Sequence, residues 1–94
     1  MTAWKHRVDL GDLWEAFDAR EMTVTKVAGE AAERLRSIDF TCDEWDEALE
    51  EMEDLSRSGM NNHENESWFN GIMDALWSVG DDHAIWIDTM GVPA

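Results

Sequence analysis

Eight carboxylates fall within the twelve positions of "DEWDEALEEMED", Asp43 to Asp54. Side chains of that kind offer two sorts of chemistry. They present a phosphate-like array to a basic surface, or they hold a divalent cation against a substrate. A helical wheel separates Trp45, Ala48, Leu49, Met52 and Leu55 from all eight acids. Asp43, Glu47, Glu50 and Asp54 form the centre of the acidic half, with Asp46 and Glu53 on one flank and Glu44 and Glu51 on the other. At about 1.5 Å rise per residue this is one charge per roughly 2 Å of axis, close to the roughly 1.7 Å of duplex DNA. The i,i+4 pairs Asp43–Glu47, Asp46–Glu50, Glu47–Glu51 and Glu50–Asp54 are all like-charged, each costing about 0.2 to 0.5 kcal/mol. A helix shaped by stability alone would mix in lysines, and none stands between Asp43 and Leu55. A solvated face explains the pattern equally simply. As a binding face, Asp43, Asp46, Glu47, Glu50, Glu51, Glu53 and Asp54 are its candidate residues.

Metal-dependent chemistry has two candidate sets. Glu30-x-x-Glu33 and Glu51-x-x-Asp54 resemble the ExxE…ExxD carboxylates of the all-α, MazG-like nucleotide pyrophosphohydrolases. That resemblance implies Mg²⁺ held against a nucleoside triphosphate. With 22 acids in 94 residues such pairs also arise by chance, and no basic cluster lies nearby for phosphates. Asp81, Asp82, His83 and Asp88, with His63, are a second set of possible ligands, but Asp81 and Asp82 fit a turn and His83 a strand start. Neither set outweighs the interaction reading, so no enzyme activity and no cofactor are expected.

Composition narrows the partners. Twenty-two acids against seven Lys and Arg give a net charge of −15, which opposes direct contact with nucleic acid or an anionic membrane. A basic nucleic-acid-binding protein, or a nucleoprotein complex, is the complementary partner. Six Trp, three Phe and six Met supply a core, so the chain is expected to fold despite its charge. The single cysteine, Cys42, and the lack of an apolar N-terminal run fit a cytoplasmic protein. Cys42 itself reads as an unreactive small residue near a helix start.

The elements that position these residues follow from periodicity. "WKHRVDL", Trp4 to Leu10, alternates as a half-buried strand, with Trp4, His6, Val8 and Leu10 on one face. Lys5 and Arg7 form a small basic patch, expected to pair with acids, and His6 is expected to be partly buried. A short helix follows Gly11, with Leu13, Trp14 and Phe17 on one side. A second starts at Thr23 and repeats Val24, Val27, Ala28, Ala31, Ala32 and Leu35. Thr41-x-x-Glu44 reads as a capping box for the acidic helix, which should end by Gly59. "GMNNHENES" has loop chemistry. The fourth helix, "SWFNGIMDALWSV", pairs Trp68 with Phe69, Ile72 with Met73 and Leu76 with Trp77, predicting a broad buried face closed by Gly80 at C′. Spacing does not fix Trp14 or Trp86 on a core face, and an exposed one would anchor an interface or a homo-oligomer.

"AIWIDT" near the C-terminus reads as a second strand. The expectation is one compact α+β domain over residues 1–94: three to four helices packed on a small two-stranded sheet formed by the N- and C-terminal segments, monomeric or dimeric. "WKHRVDL", "EMTVTKVAGEAAERLR" and "AIWIDT" together resemble small acidic proteins of bacteriophages and mobile elements. That resemblance implies a phage-encoded inhibitor of the anti-CRISPR or anti-restriction type, working in the host cytoplasm. The acidic helix lies outside the matched segments, so its role rests on charge alone.

Overall fold

A computed structural model describes residues 4–89. The order is β1 (His6–Asp9), α1 (Gly11–Asp18), α2 (Val24–Arg36), α3 (Asp43–Ser58), α4 (His63–Asp82) and β2 (Ile85–Asp88). The α+β expectation holds: among the described residues, four helices accompany a two-stranded sheet made by the N- and C-terminal segments.

The strands run parallel, with Val8 opposite Ile87 and Asp9 opposite Asp88. Direction follows from the return path. α4 delivers the chain beside the start of β1, where Lys5 N donates to Ala84 O at 2.7 Å. Ala84 turns the chain from α4 into β2 in a left-handed conformation, φ 58°. Opposed carboxylates at Asp9 and Asp88 would repel. Arg7 bridges them, with Nε 3.0 Å from Asp9 Oδ1 and Nη2 3.0 Å from Asp88 Oδ2, so this half of the basic patch pairs as expected. His6 is half-buried.

α2 buries Val24, Val27, Ala28, Ala31, Ala32 and Leu35 against α3, which buries Trp45, Ala48, Leu49, Met52 and Leu55. Arg34 then ties α2 to the start of α1: Nη1 and Nη2 reach the two oxygens of Asp12, at 2.6 and 2.9 Å, and Nη1 also donates to Asp9 O. This fork holds the Asp12 carboxyl below its ordinary range and the Arg34 guanidinium above its own.

Several local expectations are corrected. The Thr41 capping box does not form: Cys42 is the N-cap, and Thr41 Oγ1 instead donates to Asp46 Oδ2 at 2.5 Å. The region after Gly59 is shorter as a loop than its composition suggests, because Asn62 caps α4 by accepting from Asn65 N at 2.9 Å, making "HENES" helical. Gly80 is not a C′ residue either. It lies inside α4, where an added Cβ would stand 3.0 Å from Ile85 O, so the glycine permits close approach of β2. Asp81 and Asp82 accordingly complete α4, and His83 is its C-cap rather than a strand start.

The broad buried face of α4 is narrower than predicted. Phe69, Ile72, Met73 and Leu76 are buried, but Trp68 is 37% and Trp77 38% exposed. Trp4 departs from its expected face too: at 37% exposure it stands edge-on to Trp86, with ring centroids 5.2 Å apart and planes at 81°. It precedes the first strand residue, so strand alternation does not bind it.

Candidate functional site

α3 packs against α2 on one side and α4 on the other, which leaves its acidic stripe facing outward. The seven candidate carboxylates, with Glu44, divide into three environments. Glu53 is half-buried beneath Arg36, whose Nε and Nη2 reach its two oxygens at 2.7 and 3.2 Å. Hydrogen bonding to Glu53, followed by the charges of Glu53, Asp46 and Glu50, raises the Arg36 pKa above its usual value. Asp54 pairs with Arg57 one turn on, at 2.5 Å, and Asp46 accepts from Thr41. Asp43, Glu44, Glu47, Glu50 and Glu51 are exposed, and among the described residues no cation forms an ion pair with them.

Local compensation therefore favours the C-terminal half of the helix. The charge left bare lies toward its N-terminal end, where Asp43, Glu44 and Asp46 also meet the positive end of the helix dipole. Glu44, Glu47 and Glu51 line an open groove of about 300 Å³, opposite Ala75, Ser78 and Val79 of α4. Glu44 stands outside the seven candidates chosen from sequence, although its i,i+3,i+7 spacing with Glu47 and Glu51 is visible there.

Beyond Ser78 lies a second depression, about 450 Å³, that sequence reasoning missed. Trp4, Trp77 and Trp86 surround it, Ile85 and Ile87 supply buried apolar surface, and Asp81 contributes a carboxylate. The Trp77 Nε1 donates a long hydrogen bond to Ile87 O, 3.4 Å. Trp45, by contrast, is fully enclosed, as its core spacing predicted. The buried indole N–H groups of Trp45 and Trp86 have no conventional acceptor among the described residues. Each ring meets a neighbouring aromatic perpendicularly, Phe40 and Trp4 respectively, an arrangement compatible with a weak N–H···π contact.

The metal-ligand sets are not assembled. Among the described residues, no group of three or more His, Cys, Asp or Glu side chains is placed to hold an ion. This applies to Glu30, Glu33, Glu51 and Asp54, the last of which pairs with Arg57. His63 opens α4 and Asp81 lies in its last turn, roughly 27 Å apart along the axis at about 1.5 Å per residue. Asp88 is buried in its pair with Arg7. Cys42 is a half-buried free thiol. No described helix is long and apolar enough to cross a membrane.

Comparison with known proteins returns no matching family model, no matching curated protein and no matching solved structure.

Proposed function

We propose that the protein is a non-enzymatic interaction protein, a phage-type inhibitor whose α3 occupies the basic channel of a host nucleic-acid-binding defence protein, alone or within a nucleoprotein complex. The observation that carries this reading is the unequal placement of counter-charge. Arginines neutralise Glu53, Asp54, Asp12 and Asp88, yet Asp43, Glu44, Glu47, Glu50 and Glu51 face solvent without a described cation partner.

Five charges between Asp43 and Glu51 correspond to one per roughly 2.5 to 3 Å of helix axis, between the roughly 1.7 Å of duplex DNA and 3.4 Å of a single strand. Like-charged neighbours such as Asp43–Glu47 and Glu47–Glu51 cost about 0.2 to 0.5 kcal/mol each. A basic channel would relieve that repulsion, and its attraction would weaken steeply with added salt.

The test is retention of bacterial proteins on immobilised wild type and on the variant Glu44→Gln/Glu47→Gln/Glu50→Gln/Glu51→Gln. A nucleic-acid-binding protein should be held by wild type alone, and be released by a salt gradient or by duplex DNA in competition. Equal retention by both columns, or release that DNA does not promote, refutes the proposal.

A further inference from the structure

The carboxylate groove and the tryptophan depression share Ser78 as a lining residue, so they form one continuous surface from α3 across α4 to the edge of β2. The acidic helix attracts any polycation by charge. The second depression differs in kind, because it combines indole rings with a single carboxylate.

Trp77 and Trp4 are exposed by more than a third, although tryptophan is the costliest side chain to leave in water. Each ring has a partner within the fold: Trp77 is hydrogen-bonded to Ile87 O and Trp4 stands edge-on to Trp86. Partly exposed tryptophans are the usual anchors of an interface. The net charge of −15 and the carboxylate of Asp81 select a cation as occupant over a neutral apolar group. Of the two cationic side chains, arginine suits the place better. Its planar, weakly hydrated guanidinium stacks on an indole while donating to a carboxylate in its own plane, whereas a lysine ammonium keeps its water.

We propose that this depression receives an arginine side chain of the basic partner, its guanidinium stacked on the exposed indoles and paired with Asp81. The rest of the partner's basic surface then lies along Glu44, Glu47 and Glu51. The inference rests on α3 being a partner-binding face, and it adds a preference for arginine over lysine that an acidic helix supplies only weakly.

Nona-arginine and nona-lysine, of equal charge, test it when each is fluorescently labelled and titrated against the full chain at fixed ionic strength. Wild type should bind nona-arginine roughly tenfold more tightly, about what one stacked and partly desolvated guanidinium contributes. Trp77→Ala and Asp81→Asn should each remove most of that preference while leaving nona-lysine affinity within about twofold. Asp81→Asn preserves shape at an exposed position, so it decides the matter if Trp77→Ala does not fold. The indole N–H resonances of Trp4 and Trp77 should shift with nona-arginine and much less with nona-lysine.

A preference for arginine that survives both substitutions overturns the proposal. So does self-association abolished by Trp77→Ala together with equal peptide affinities, which would assign the depression to a second copy of the chain. The Glu44, Glu47, Glu50 and Glu51 variant separates the two readings. If it keeps both peptides, the role of α3 fails; if it loses both, the effects of Trp77 and Asp81 in the wild-type background still judge the arginine site.

Discussion

Arg36 reaches from the last residue of α2 to Glu53 on α3, gripping both carboxylate oxygens at 2.7 and 3.2 Å. The pair couples two helices and cancels charge at one end of the acidic run, which separates carboxylates that stabilise the fold from those that burden it.

Glu53→Gln should therefore lower stability, by no more than about 1 kcal/mol because both partners are partly exposed. Glu47→Gln should raise it by roughly 0.3 to 1 kcal/mol, since Glu47 has Asp43 and Glu51 at i±4 and Glu44 and Glu50 at i±3. A shift of 1 kcal/mol moves the melting temperature of a chain this size by about 4 to 8 °C. Thermal melts at low salt should show opposite signs for the two variants, with both differences shrinking as salt is added.

Two glycines of α4 should respond oppositely to alanine. At Gly80 the new Cβ meets the backbone oxygen of Ile85 at 3.0 Å, and displacing β2 should cost about 1 to 3 kcal/mol. At Gly71 nothing lies within 4 Å, so alanine should stabilise the helix by up to about 1 kcal/mol. Denaturant midpoints measure both; a destabilised Gly71→Ala would contradict the open surface around that residue.

The Asp12–Arg34 fork gives a pH-dependent contribution. Arg34 lowers the folded pKa of Asp12 below the unfolded value of about 3.8, so the folded state favours the ionised carboxyl. Its contribution is complete above the unfolded pKa and disappears as pH falls through the depressed folded value. Wild type should exceed Asp12→Asn in stability at neutral pH by at most about 1 kcal/mol, the range for an exposed pair, and converge with it in strong acid. Urea unfolding across the acid range measures the gap, and a gap independent of pH would show that ionisation of Asp12 is irrelevant.

Helix capping should discriminate between Asn62 and Thr41. Asn62→Ala removes the acceptor for Asn65 N and should cost about 0.5 to 2 kcal/mol, with faster amide exchange in the first turn of α4. Thr41→Ala removes only the hydroxyl contact with Asp46, outside the N-cap position, and should cost less. Hydrogen exchange and thermal melts together check this ranking.

Helices whose burial follows a local period could be read directly from the residues. Val24 to Leu35 on α2 and Trp45 to Leu55 on α3 lie on the core faces that their spacing specifies, because residues three and four apart share one side of the same helix. The terminal strands were legible from β-branched and aromatic alternation, but their parallel pairing was not. That required α4 to return Ala84 beside Lys5. The width of a buried face was also a tertiary decision. Adjacent pairs on α4 suggested that both Leu76 and Trp77 were interior, yet the neighbours of α4 cover Leu76 and leave Trp77 at the surface depression. The acidic stripe could be placed from sequence, while its charge balance could not. Asp54 finds Arg57 three residues along its own helix, but Arg36 and Glu53 are seventeen residues apart in the chain and meet only because α2 packs on α3, so interhelical packing decided that Glu53 is neutralised.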